Sequence, residues 1–354
     1  MSELIQLRIA LCTAHIPFIR RETEPQYDHL HAELCKRNHE VEYIKIPFKD
    51  YPPQRIISHS LIWKLLDLSD SGGSKIDGVI AQNFPSYLIK HDSKVVWLPN
   101  QYRAAYDLTH SQFDEPVSYG AFEEIVRRKI QKIDETALKE TQKIYTISQT
   151  VANRLLKFNH LYGEVLYMPP PHVGKYRCST YDNYIFCPNQ LDLMKRQDLI
   201  IKAMRYVHSD LRLILLGSGP AQKHYIAIAH DYGVDDRVDF LGNVSDEQLL
   251  ELYSNAFCVA CTPFDEELGY VVMEAFLSKK PVITCSDSGG TLELIEDSQN
   301  GYIASPSPED IAKRINTLHE SNCARTMGEK GYLTMKDINL SWDHVIDKLL
   351  EPMQ

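Results

Sequence analysis

Two glutamates eight residues apart, Glu266 and Glu274, flank a short turn at Gly269 that leads from the acidic loop Asp265-Glu-Glu-Leu into the apolar run Tyr270-Val-Val-Met. If a helix begins near the glycine, Glu274 falls within its first two turns. Glu266 then stands just ahead of its N-terminus, where outward-pointing backbone N–H groups favour an anion. A carboxylate accepts hydrogen bonds from two vicinal hydroxyls, which is what a sugar or a ribose presents, and Gly269 lets a diphosphate approach the backbone closely. The arrangement fits a nucleotide sugar. The plainer alternative is that Glu266 caps a helix and Glu274 is solvated.

Neighbouring stretches favour the first reading. Lys195-Arg196-Gln-Asp-Leu-Ile-Ile-Lys-Ala203 puts two cations where a loop enters a helix, Gly242-Asn243-Val244 follows a strand, and Asp287-Ser-Gly-Gly-Thr291 follows another. Cations and helix N-termini are what a diphosphate requires, and open α/β sheets bind ligands in the loops after their strand ends. Gly217-Ser-Gly219 after the run Leu213–Leu216 can bring backbone close to a nucleotide, but it lacks the third glycine of a dinucleotide fingerprint, which weighs against an NAD-dependent oxidoreductase.

Those loops need a scaffold, and hydrophobic periodicity supplies one. Strands are expected over 7–12, 39–46, 78–81, 94–98 and 143–147, with helices between them near 27–38 and 122–143. A second series runs through strands at 184–188, 212–216, 238–241, 257–261 and 281–284, with a helix over 197–207. Alternation of this kind implies a parallel sheet covered by helices, twice over. Three prolines at 169–171 forbid helix and mark the boundary, giving segments 1–170, 171–340 and a terminal helix in 341–354 whose Trp342, Val345, Ile346 and Leu349 form an apolar stripe that should pack back on a domain.

Composition narrows the classes. At 354 residues with 44% hydrophobic content, the chain suits two ordinary α/β domains. No apolar run approaches the ~20 residues needed to span a bilayer, and the N-terminus lacks a long apolar signal segment, so a cytosolic location is expected. A net charge of −10 argues against sequence-independent grip on nucleic acid. Arg127-Arg-Lys129 with Lys132 leaves two readings open, a solvated helix face or peripheral contact with anionic lipid on the inner face of a membrane. The eight cysteines are scattered, and Cys258-Val-Ala-Cys261, though spaced like a metal or redox pair, sits in an apolar run that reads as a buried strand; no metal site is expected.

Taken together, the Glu-x7-Glu element, the Lys-Arg-x-Asp-Leu stretch, the Gly-x-Gly turn and the Asp-Ser-Gly-Gly loop resemble the donor-binding domain of retaining glycosyltransferases of family 4. The first half is similar more diffusely, through Trp97-Leu-Pro-Asn-Gln-Tyr-Arg103 and Thr146-Ile-Ser148 among others. The resemblance implies the α/β GT-B fold, two facing Rossmann-like domains, and transfer of a sugar from a nucleotide diphosphate such as UDP or GDP to a glycan or lipid-linked acceptor, with retention and no cofactor.

By resemblance, Glu274 would bind ribose hydroxyls, Glu266 the donor sugar, and Lys195 the diphosphate, with backbone at Glu267, Leu268, Gly269 and Tyr270. Backbone near Gly217, Gly219, Asn243 and Val244 would hold the base. Three positions depart from the family pattern. Arg21-Glu22-Thr23-Glu24 replaces a Gly-Gly-Ala-Glu loop, Gln190 stands where an arginine is usual, and Asn100 where a histidine is. Arg196 or Arg21 would have to supply the missing cation, and Asn100 can hydrogen-bond but not titrate near neutral pH. His15, Arg21, Glu24 and Arg103 are acceptor-side candidates. A catalytically degenerate relative that binds nucleotide or glycan, or supports a partner enzyme, is the alternative function.

Overall fold

A computed structural model of the chain describes residues 6–18, 24–49, 52, 54–107, 120–208 and 210–353. The expectations for Arg21 and Glu22 lie outside the described residues. The chain divides into two units, Met1–Pro171 with Ser341–Gln354, and His172–Leu340.

The first unit runs β1 (Arg8–His15), α1 (Glu24–Lys36), β2 (Glu40–Pro47), α2 (Gln54–Leu65), the small hairpin β3 (Asp70–Ser71) and β4 (Ser74–Lys75), β5 (Gly78–Ala81), β6 (Lys94–Leu98), α3 (Gly120–Lys139), β7 (Lys143–Thr146), α4 (Gln149–Asn159) and β8 (Glu164–Val165). Six strands form a parallel sheet in the order β2-β1-β5-β6-β7-β8. Interior strands β5 and β6 are buried along their whole length, which is why their sequences do not alternate, whereas edge strand β2 does, with Glu40 and Glu42 exposed. Even Lys94 is buried in β6. Its Nζ donates to Tyr87 O (3.0 Å) and Ala137 O (2.9 Å), and burial pushes its pKa down to about 8. The expected helix over 122–143 is four residues shorter at its C-terminal end, because Gln142 N already donates to Lys94 O (3.0 Å) and opens the pairing of β7.

The second unit runs β9 (Tyr184–Pro188), α5 (Gln197–Ala203), β10 (Arg212–Leu216), α6 (Gln222–Asp231), β11 (Val238–Gly242), α7 (Asp246–Asn255), β12 (Cys258–Ala260), α8 (Tyr270–Leu277), β13 (Val282–Cys285), β14 (Gly301–Ala304), α9 (Pro308–Glu320) and α10 (Ala324–Asp337). Its parallel sheet has the order β11-β10-β9-β12-β13-β14. Cys258 and Cys261 are free and buried on or beside β12, and burial raises both thiols.

The chain then returns to the first unit as α11 (Trp342–Leu350). Ser341 caps it by accepting from His344 N (3.2 Å), and Val345, Ile346 and Leu349 are buried. Trp342 meets Trp97 of β6 edge to face at 6.4 Å, and Lys348 O accepts from Tyr145 Oη of β7 at 2.9 Å. Among the described residues no helix is long and apolar enough to cross a membrane.

Candidate functional site

Strand order decides where a ligand can sit in the second unit. The chain leaves β9 toward β10 and β11 on one side, then crosses to β12, β13 and β14 on the other, so the crossover direction reverses between β9 and β12. Ligands of open α/β sheets bind at the carboxyl ends of the strands beside such a reversal. The loop after β9 carries Gln190 to Arg196, and the loop after β12 carries Thr262 to Gly269. Loops after β10, β11 and β13, bearing Gly217-x-Gly219, Asn243-Val244 and Asp287-Ser-Gly-Gly, leave the same edge of the sheet.

Lys195 and Glu266 meet there, with Nζ 2.8 Å from Oε2 and both side chains mostly buried, at 12% and 18% exposure. Asp192 fixes the lysine loop by accepting from Met194 N (2.9 Å), and Met194 O accepts from Phe264 N (2.7 Å), tying the lysine loop to the glutamate loop. Glu266 N donates to Ser288 O (3.3 Å) and its carbonyl accepts from Gly290 N (2.7 Å). The carboxylate thus stands four residues before α8, whose first residue follows the cap Gly269.

Arg196 is held differently from a phosphate-binding cation. It adopts a left-handed conformation (φ 50°), and its guanidinium forks onto Asp287 at 2.6 and 2.8 Å while also donating to Thr262 O (3.0 Å) and Pro263 O (2.9 Å). A planar, five-donor cation suits this joint between three loops. Gln190 is exposed, and its carbonyl accepts from Gln197 Nε2 (2.8 Å).

Glu274 lies in the second turn of α8. Its Oε1 accepts from Tyr176 Oη (2.9 Å) and its Oε2 from Tyr253 Oη (2.5 Å). Burial raises its pKa, and the two phenols oppose that rise. Tyr253 is fully buried on α7, a helix that a reciprocal Ser245–Gln248 capping box starts, and it packs edge to face on Phe186 at 4.9 Å and Tyr176 at 5.9 Å. Neither tyrosine was singled out by motif spacing. Tyr176 stands in a segment without periodicity and Tyr253 reads as one more core position of a helix, so no signal marked them.

The glycines serve loop-to-loop approach. A Cβ on Gly289 (φ 61°) would lie 2.5 Å from Glu266 O, and one on Gly290 2.3 Å from Glu267 O, so these two residues let the loop after β13 press against the Glu266 loop. A Cβ on Gly217 (φ 116°) or Gly219 would come within 2.3 Å of the carbonyl oxygens of Asn189 or Leu191. Gly-x-Gly therefore brings backbone to backbone here. Asn243 is exposed, with Oδ1 accepting from Ser218 Oγ at 3.4 Å, and Val244 follows it half-buried; Glu267 and Tyr270 are half-buried and Leu268 fully so.

In the first unit, His15 ends β1 and Asn100 lies two residues beyond β6, at the same sheet edge, and both are half-buried. Glu24 opens α1. Arg103 is 9% exposed and turned onto Asp107 at 2.9–3.2 Å, a carboxylate that Arg154 Nε also approaches at 3.3 Å. Behind this loop is a buried chain that sequence reasoning missed: Gln101 donates to Asn159, Asn159 to Tyr106 Oη (3.1 Å) and Tyr106 to Asp134 (2.9 Å). Burial raises Asp134 to about 7. Among the described residues no group of three His, Cys, Asp or Glu side chains is arranged to hold a metal ion.

Comparison with known proteins places these features in a family context. Residues 174–334, within the second unit, match the family model Glycosyl transferases group 1. The alpha-1,3/1,6-mannosyltransferase ALG2 of Dictyostelium discoideum is 33% identical over 110 residues, 31% of this chain and 26% of the relative. The chain spans between about a quarter and a half of the length of the curated relatives it matches. Sucrose-phosphate synthase from Thermosynechococcus elongatus superposes with a TM-score of 0.75 over 98% of both chains at 15% identity. Anabaena HepE, solved with UDP and glucose, does so with a TM-score of 0.69 over 98% of this chain and 100% of that one, at 16% identity. The fold is α/β of the GT-B type.

Proposed function

We propose that this chain, whose residues 174–334 match that family model, moves a hexosyl group from a nucleoside diphosphate to a hydroxyl of a glycan or lipid-linked saccharide, with retention of configuration. The observation that carries the reading is the Lys195–Glu266 pair beside the N-terminus of the helix that bears Glu274, all at the reversal point of one parallel sheet. A mannosyltransferase among the relatives and UDP with glucose in a solved structure of this fold support a nucleotide-sugar donor.

In this reading donor entry exchanges partners. Lys195 leaves Glu266 for the diphosphate, and Glu266 accepts hydroxyls of the transferred sugar. As the glycosyl–phosphate bond breaks, negative charge grows on the diphosphate while the sugar becomes oxocarbenium-like. Lys195 and the first N–H groups of α8 stabilise that charge, and the protein's own cations take the part a metal would. The acceptor hydroxyl enters on the face the diphosphate leaves, giving up its proton to the departing phosphate oxygen. Glu274, steadied by Tyr176 and Tyr253, takes the ribose hydroxyls; Asn100 is assigned as a catalytic residue beside the donor sugar, where it hydrogen-bonds a hydroxyl, and His15 is assigned to acceptor recognition.

A thermal-shift screen against UDP, GDP and ADP with their sugars tests the binding step, since ligand at 100 times Kd stabilises by about 2.7 kcal/mol. One diphosphate should raise the melting temperature; Lys195→Ala should abolish both that rise and sugar consumption, and Glu266→Ala should abolish sugar consumption. No shift with any nucleotide would overturn the proposal. A second reading, binding without turnover, is favoured by one observation: Gln190, where the family pattern has a cation for the diphosphate, is an uncharged, exposed side chain. Gln190→Arg with Asn100→His should then create activity, and substantial wild-type turnover would exclude it.

A further inference from the structure

Lys280 follows α8 and leads into β13, yet its side chain is wholly buried. Its Nζ donates to Thr180 O and to Cys178 Sγ, the latter at 3.4 Å, and stands 3.8 Å over the Tyr181 ring. Tyr181 Oη in turn donates to Lys279 O (2.7 Å), so residues 176–181 cross the end of α8 and are fastened to it at several points. Cys178 is half-buried between exposed Arg177 and Ser179, within reach of small solutes. Neither Cys178 nor Lys280 is used by the transfer chemistry above.

We propose that Cys178 and Lys280 are a modification site, joined by a sulfur–nitrogen bond when the protein meets hydrogen peroxide. The thiolate first attacks peroxide, giving the sulfenic acid and, after proton transfer, water. The neutral Lys280 amine then attacks the sulfur; the S–N bond forms, the S–O bond breaks, and hydroxide leaves with the amine's proton as a second water. Sulfur loses two electrons and peroxide gains them. Burial, and secondarily Arg325, lower the pKa of Lys280 and enlarge its neutral fraction, against Cys178 and Asp182, which hold the ammonium, as does the Tyr181 ring. Closing the bond ties the segment bearing Tyr176, and so its contact with Glu274, to the chain just past α8.

The test is peptide mass analysis of the full chain after peroxide treatment, digested without reductant. The expected result is a peptide pair joined through Cys178 and Lys280, lighter than its parts by two hydrogens and released by dithiothreitol. Lys280→Arg should remove the link while dimedone, a sulfenic-acid trap, still labels Cys178. A wild-type Cys178 that ends as sulfinate with no joined peptide would overturn the proposal, as would a bridge heavier by an oxygen or a link that persists in Lys280→Arg. The wild-type measurement decides the matter even if the variant fails to fold.

Discussion

Replacing Arg196 by alanine separates two roles for this residue, phosphate cation and structural joint. The side chain is 12% exposed and donates to two carbonyls and a carboxylate. Each carbonyl loses a bond from a charged donor, worth about 1.5–3 kcal/mol. Asp287, a third exposed at 34%, can rehydrate, so its share is nearer that of a surface pair, below about 1 kcal/mol. Water entering the vacated space recovers part of the loss, leaving about 3 kcal/mol and a melting point lower by about 6–12 °C for a unit of this size. All three tryptophans, Trp63, Trp97 and Trp342, belong to the first unit, so their fluorescence reports that unit while calorimetry and circular dichroism report both. The calorimetric transition should fall and the tryptophan transition should move less. A variant that melts like wild type yet loses its nucleotide-induced stabilisation would refute the joint and restore Arg196 as a phosphate ligand.

Three further outcomes follow from the geometry. Gly289→Ala, which places an alanine at φ 61°, ψ −127° and overlaps Glu266 O, should cost more than 2 kcal/mol, whereas Gly72→Ala, at φ 59° in open space, should cost only about 1–2; equal melting points would contradict the argument. Tyr253→Phe removes one of two donors to a buried carboxylate and should destabilise by about 1.5–3 kcal/mol in urea unfolding, more than Tyr184→Phe, whose hydroxyl reaches only a carbonyl. Asp134 sets a pH dependence: burial raises its folded pKa to about 7, above the ordinary aspartate value of 3.8, so the folded state holds the proton longer. Its contribution is whole below pH 3.8 and lost as pH rises to about 7, at up to about 1.4 kcal/mol per unit. Asp134→Asn should flatten that slope, and an unchanged slope in stability between pH 4 and 7 would count against it.

Sequence made the scaffold legible because burial on both faces writes uninterrupted apolar strands, such as Val95–Leu98 and Leu213–Leu216, and because Gly269 marks the start of α8 within one residue. It also placed Lys195 and Glu266 in one loop cluster, 71 residues apart in the chain yet 2.8 Å apart in space. What it left unseen were partners set by tertiary approach alone. Arg196 looks like a free cation until Asp287, 91 positions away, is seen to take it. Arg103 likewise turns inward to Asp107. The same holds for Gly217-x-Gly219, where the residues that crowd the glycines, Asn189 and Leu191, belong to another loop and carry no motif. The Asp134 chain was invisible for a related reason: an acid in an amphipathic helix reads as solvated unless the residues covering it are known.

The return of α11 to the first unit has a consequence for biosynthesis. A ribosome releases residues 1–171 long before Trp342, Val345 and Leu349, so the first sheet emerges with the apolar ground beside Trp97 bare, and must wait through the whole of residues 172–340 for the helix that covers it. During that interval the apolar ground that α11 will cover stays open, whereas the second half is contiguous and can collapse as it appears.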